Sequence, residues 1–370
     1  MSTVIHARRV ITGEHDLIDA WVQVDGGRIT AVGQGTAPSG NVETVEGWLI
    51  PGFVDVHVHG GGGGSFSNAE VDTAVAFHLS HGTTTMLASL VSEPIDIIVE
   101  QIEDLLPHVQ SGIIAGIHLE GPFLSERRCG AHDPQVLVAP DANTVERVIA
   151  VGAGAIRMVT IAPELPGALD AIRVFRNSGI VAALGHSDAG GTLAAEAVDA
   201  GATQVTHLFN GMRPLHHRET GIADVGLVDE RLLCELILDG HHLSDSITEV
   251  ALRSLGDRWI AVTDAMAAAG LPDGRFSLGE LAVEARDGVV RLVEGGSLAG
   301  STLTMDAAFR AITQRFQRTP LEAVRATATR PARVLQRSDI GIVAPGARAN
   351  LLAWKGNSLS RVMLEGRWIA

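Results

Sequence analysis

The chain has 370 residues, 46% apolar and 19% charged, a composition that excludes a disordered or fibrous protein and fits a soluble globular one. Its formal net charge of −15 opposes a nucleic-acid partner, which needs a basic face, and Lys355 is the only lysine. Schiff-base chemistry, a phosphate-loop lysine and a lysine carbamate bridging two metals are thereby excluded from the main body of the chain, leaving Asp, Glu and 15 histidines for catalysis.

Residues 1–14 include Arg8 and Arg9 with no apolar stretch behind them, and every longer apolar run is broken by charges or Gly/Pro clusters. The expectation is a cytoplasmic protein with no membrane partner. Cys129 and Cys234 are far apart and form no CxxC, so neither a disulfide framework nor a cysteine-rich zinc site is expected.

In chain order, residues 4–45 alternate short strands with turns. From Trp48 to the region of residue 330, an apolar β-branched run, a Gly-rich or polar turn and a helical stretch recur. Strands are predicted at 49–59, 83–91, 113–120, 156–164, 180–186, 204–209, 234–239 and 259–264. Helices are predicted at 70–81, 96–109, 144–151, 169–177, 192–200 and 246–255. Such near-continuous apolar strands suit a parallel sheet covered on both faces, and eight units suggest a (β/α)8 TIM-type barrel; a doubly wound open sheet is the alternative. Residues 275–294 read as an inserted hairpin, and 305–316 and 320–327 as helices. The expected organisation is a barrel over 48–340 beside a small β-sandwich assembled from 1–47 and 341–370, since neither end can bury a core alone.

Polar residues gather at the ends of these strands: His57 and His59, Glu120, His186, His207, His241 and His242, and Asp264. In a barrel, those ends converge on the catalytic face. Packing alone explains them poorly, because a buried polar group without a partner costs about 1–3 kcal/mol. His57 and His59, spaced to share one side of a strand, precede the glycine run Gly60 to Gly64, which lets the backbone turn over a site. Glu120, His186 and His207 offer one oxygen and two nitrogens, a set suited to zinc or another divalent first-row ion with a position left open. Asp264 is the candidate general base; its bland alternative is a helix cap.

These segments, HVHG, HLEGPFLS, LGHSDA, THLFNGM, VTDAM and LAGSTLTM, together resemble the N-acetylglucosamine-6-phosphate deacetylase family of the amidohydrolase superfamily, over nearly the whole chain. The resemblance implies metal-dependent hydrolysis of the acetamide of an amino-sugar phosphate, the small-molecule partner. It implies a divalent metal, one or two ions per subunit, zinc first and iron, cobalt, manganese or cadmium as alternatives. Glu120, His186 and His207 are implied as ligands of the principal ion, and His57 and His59 as ligands of a second, with Glu120 bridging. Asp264 is implied as the catalytic acid/base and His242 as the group contacting substrate near the scissile amide. Asn210 and Gly211 match the segment whose backbone meets the phosphate, and His132 in GAHDP matches a histidine near the sugar. Arg218 is similar to an arginine that reaches a phosphate in the neighbouring subunit of a homodimer, although RETG here replaces the family's REPG. Cys129 is a candidate lid residue over the sugar. Rival readings are a hydrolase of cyclic amides, disfavoured by the missing lysine, an aminohydrolase of nucleobase-like amines, and a sugar-phosphate-binding protein without activity, which would have no use for Asp264.

Overall fold

The structure, a computed structural model, describes residues 2–68 and 70–369. The chain divides into two compact units, one formed by Met1–Asp55, Ala76–Thr85 and Thr304–Ala370, the other by Val56–Val75 and Met86–Leu303. Among the described residues no helix is long and apolar enough to cross a membrane.

In the first unit both ends of the chain enter one seven-stranded sheet, ordered Arg367–Trp368, Ser358–Leu364, Leu351–Lys355, Asn41–Pro51, Thr3–Ile11, Asp16–Asp25 and Arg28–Gln34. Thr3–Ile11 pairs parallel with Asn41–Pro51, which pairs antiparallel with Leu351–Lys355. Alternation along these strands delivers Ile5, Val22, Leu49, Leu351 and Met363 to a common core that neither end could fill alone. The helix predicted at 305–316 runs as Met305–Arg310 and continues with π-type hydrogen bonding through 311–315.

The eight-stranded sheet takes its strands in chain order: Phe53–Asp55, Thr83–Leu90, Gly116–Glu120, Ile156–Ile161, Val181–Leu184, Gln204–Val205, Leu233–Ile237 and Trp259–Val262. The Asp264 amide donates to the His57 carbonyl at 2.8 Å, so the exit of the eighth strand meets the exit of the first and the sheet comes round as a barrel. Helices alternate with the strands as predicted. Asp141 caps Ala142–Gly152 through the Asn143 and Thr144 amides, and Ser244 caps Asp245–Leu255 through the Ile247 amide.

Three local expectations are corrected. Strands end earlier than the apolar runs, because His186, His207 and Asp264 have φ of 46°, 27° and 50° and leave the extended conformation just beyond the ladder. The first predicted strand is broken at Gly52, and its histidines follow Phe53–Asp55 rather than belonging to it. Residues 275–294 form a three-stranded sheet, Gly274–Leu278, Leu281–Arg286 and Val289–Leu292, since Gly279 and Gly288 each adopt positive φ and reverse the chain twice. A helix at Ile222–Val228 was not predicted; it is a short element whose N-terminus is tied by Asp224 Oδ2 accepting from the Gly221 amide at 2.7 Å.

Candidate metal centre and active-site pocket

Every candidate near the chemistry stands at or just beyond the carboxyl end of a barrel strand, where the backbone turns inward. Glu120 ends the third strand and divides its carboxylate between two pairs of histidines. Its Oε1 lies 2.9 Å from His207 Nε2 and 3.1 Å from His186 Nε2. Its Oε2 lies 3.1 Å from His59 Nε2 and 3.4 Å from His57 Nε2. Asp264 Oδ1 closes the second group, 3.2 Å from His59 Nε2 and 3.4 Å from His57 Nε2. The paired ring nitrogens are 3.0 Å apart for His186 and His207, and 3.3 Å for His57 and His59.

These spacings fit a metal. Donors held at 2.0–2.1 Å around a tetrahedral ion stand about 3.3 Å from one another. The outer ring nitrogens carry the same message. His59 Nδ1 faces the Ser89 carbonyl at 3.1 Å, and His186 Nδ1 faces the Arg128 carbonyl at 2.9 Å. A carbonyl only accepts, so each Nδ1 carries a proton, which leaves Nε2 as the atom that would turn a lone pair to a cation. His57 Nδ1 is engaged by Glu235 Oε2 at 3.0 Å. His57, His59, Glu120 and Asp264 cluster closely enough to hold a divalent metal, as do Glu120, His132 and His186, with His207 on the same Glu120 oxygen as His186. His118 is excluded as a ligand because both its nitrogens are taken, by Ser89 Oγ at 3.0 Å and Thr160 Oγ1 at 2.9 Å.

Electrostatics follow from this crowding. Burial pushes the Glu120 carboxyl up, but His57 and the bonds from His132, His186 and His207 outweigh it and hold the group well below the usual carboxylate range. Burial disfavours a charged His59, yet Asp264 and Glu120 raise it to about 9. His132 goes the other way, to about 4, chiefly through burial. Its Nδ1 accepts from the Ser92 amide at 3.2 Å, which leaves the proton on Nε2, 3.6 Å from Glu120 Oε2. His132 is therefore a hydrogen-bond donor beside the centre rather than a ligand.

The centre floors a cavity of about 280 Å³. Its walls include His132, Asn210, Gly211 and His242, with Leu278 from the three-stranded sheet and Leu298. Gly211 has φ of 58°, and a Cβ there would sit 2.8 Å from His186 Nδ1, so this wall requires glycine. The Asn210 amide is committed to the His207 carbonyl at 3.0 Å. His242 Nδ1 pairs with Asp239 Oδ2 at 2.7 Å; burial opposes the imidazolium, but Asp239 raises its pKa overall.

Two predicted residues are not brought to the cavity. Arg218 is exposed on the segment after Met212, its guanidinium 2.6 Å from His217 Nε2. Cys129 is half-buried, its thiol pushed up by burial, and Gly130, not Cys129, lines the wall. Among residues that sequence reasoning missed are Glu235, Asp239 and Asp188, the last of which ties Arg128 at 2.8 Å and so fixes the backbone receiving His186 Nδ1. The available signals were a single carboxylate inside the apolar run LLCELIL and an aspartate three residues before His242.

The amidohydrolase family profile matches residues 48–369. An N-acetylgalactosamine-6-phosphate deacetylase of Escherichia coli O157:H7 is 35% identical over 99% of both chains. An N-acetylglucosamine-6-phosphate deacetylase of Vibrio furnissii is 35% identical over 98% of this chain and 94% of its own. Among solved structures, a mutant N-acetyl-D-glucosamine-6-phosphate deacetylase from Mycobacterium smegmatis in complex with N-acetyl-D-glucosamine-6-phosphate superposes with a TM-score of 0.97, at 41% identity and 99% coverage of both chains. The N-acetylglucosamine-6-phosphate deacetylase of Thermotoga maritima gives a TM-score of 0.90 at 30% identity, again over 99% of both chains. With an eight-stranded parallel sheet nearly closed as a barrel, a carboxylate between paired histidines and these full-length similarities, the chain belongs to the amidohydrolase family.

Proposed function

We propose that this chain hydrolyses the acetamide of N-acetyl-D-glucosamine 6-phosphate to D-glucosamine 6-phosphate and acetate, in amino-sugar catabolism and cell-wall recycling. The observation that carries the reading is Asp264: its Oδ1 sits 3.2 Å from His59 Nε2 at the floor of the cavity, where a carboxylate can both take and return a proton.

Glu120, His186 and His207 would hold the principal cation, zinc first, and His57 and His59 would hold a second with Asp264 alongside. When bound, a divalent ion polarises the amide carbonyl and makes water more acidic. Asp264 accepts the proton of the attacking water at Oδ1, then delivers it to the departing amine as the C–N bond breaks. His242, lining the cavity with its Nδ1 held by Asp239, is placed to stabilise the developing oxyanion. His132 lines the sugar side of the cavity.

No lysine or arginine occurs among the described residues lining the cavity, while the substrate is anionic. That supports a homodimer in which Arg218 of the partner subunit meets the phosphate beside Asn210 and Gly211, in a cytoplasmic enzyme. Cys129, next to the lining Gly130, is proposed as part of a lid. The absence of any barrel lysine disfavours the cyclic-amide reading.

The test is acetate release by purified protein from N-acetylglucosamine with and without the 6-phosphate, and from N-acetylgalactosamine 6-phosphate. Strong preference for the phosphorylated glucosamine substrate is expected. Equal kcat/KM on phosphorylated and unphosphorylated sugars rejects the phosphate assignment, and preference for the galactose epimer moves the activity to the other named relative's substrate.

A further inference from the structure

Glu235 is the centre's unassigned carboxylate. It lies in the seventh barrel strand, Leu233–Ile237, and is fully buried. Its Oε2 receives two donors at once, His57 Nδ1 at 3.0 Å and the His207 amide at 3.2 Å, while its Oε1 accepts from Gln204 Nε2. These donors belong to different halves of the centre. His57 is in the His57, His59, Asp264 group, and His207 is in the group with His186.

The second contact has particular weight. Of the four histidines paired at Glu120 Oε1 and Oε2, His57, His59 and His186 are each fixed through Nδ1, whereas His207 Nδ1 is buried with no hydrogen-bond partner. His207 also has φ of 27°, an unfavourable backbone for a residue with a side chain. Its orientation is held from the backbone instead, by Glu235.

We infer that Glu235 is a shared positioning residue that couples the two halves of the metal centre, setting the His57 tautomer through the ring and the His207 direction through the amide. The inference rests on the metal reading above but not on the identity of the sugar.

The experiment is Zn²⁺ titration, by chelator competition, of metal-stripped full-length protein. Wild type, Glu235→Gln, His57→Ala and the double variant are compared, with thermal unfolding of each metal-free form. Replacing such a partner of a metal-binding histidine weakens metal affinity by about 10–100-fold. A loss of that size is expected for Glu235→Gln both in wild type and in the His57→Ala background, where Glu235 keeps only its contact to the His207 amide, with metal-free melting little changed. If the loss disappears in the His57→Ala background, Glu235 acts through His57 alone and the coupling is refuted. Lower metal-free melting with unchanged Zn²⁺ affinity reduces Glu235 to a structural role. Should Glu235→Gln not fold, Glu235→Asp keeps the charge but withdraws it by one methylene, and unchanged affinity there equally overturns the inference. Wild type that binds no divalent ion fails the metal reading itself.

Discussion

Asp264 Oδ1 and His59 Nε2 are 3.2 Å apart, both buried, which places this carboxylate against an imidazole nitrogen rather than against solvent. Burial would raise the Asp264 carboxyl, yet His57 and His59 hold it below its ordinary value, so it stands ionised and ready to accept a proton. Asp264→Asn is expected to lower kcat by about 10²–10⁴-fold, the usual contribution of general acid–base catalysis, while Zn²⁺ content stays near wild type. A near-wild-type rate would remove Asp264 from the mechanism.

Glu120 reaches both histidine pairs with separate oxygens, and no barrel lysine exists; under the proposed function this side chain takes the place of a lysine carbamate. Lys355 lies in a strand of the seven-stranded sheet, paired with Glu46 at 2.6 Å. Activity should therefore be abolished by chelation, restored by divalent metal, and indifferent to added bicarbonate. Saturating metal should also raise the unfolding free energy, by about 2.7 kcal/mol at a free concentration 100 times its Kd. Bicarbonate-dependent recovery would contradict a carboxylate bridge.

Arg218 is exposed and outside the cavity wall, so its effect should be confined to the phosphate. Arg218→Ala is expected to raise KM for the 6-phosphate by about 10–100-fold, the worth of a hydrogen bond to a charged group, with a smaller change in kcat. Turnover of the unphosphorylated sugar should not move. An equal loss on both substrates would indicate a structural residue.

Gly211 has no room for a side chain, with a Cβ 2.8 Å from His186 Nδ1 and φ of 58°. Gly211→Ala should push His186 off its position, costing about 1–3 kcal/mol in backbone strain alone, and lower both metal affinity and rate. Metal titration and thermal melting check this; unchanged values in both would show that the wall yields.

Asp306 reports on acid stability. Burial alone would raise its carboxyl, but His81, Thr304 and Arg310 bring it from 3.8 to about 2. With the folded pKa below the unfolded one, its contribution of about 2 kcal/mol is complete above the unfolded value and is lost as pH falls toward 2. Denaturant titrations should find Asp306→Asn less stable than wild type near neutrality, with the gap shrinking on acidification. A gap independent of pH would show that Asp306 contributes through packing.

The sequence by itself determined the alternation that builds the barrel, because strand and helix periods are local and eight apolar runs are hard to place otherwise. It also marked Glu120, His186, His207, His57, His59 and Asp264, since each follows an apolar run at a position that packing does not explain. Only the tertiary structure decided that Glu120 serves two histidine pairs with different oxygens, that His132 carries its proton on Nε2, and that Glu235 stands behind both halves of the centre. Those facts depend on atoms from strands far apart in the chain meeting within hydrogen-bond distance. Periodicity along one strand shows which way a side chain points, but not which partner waits there.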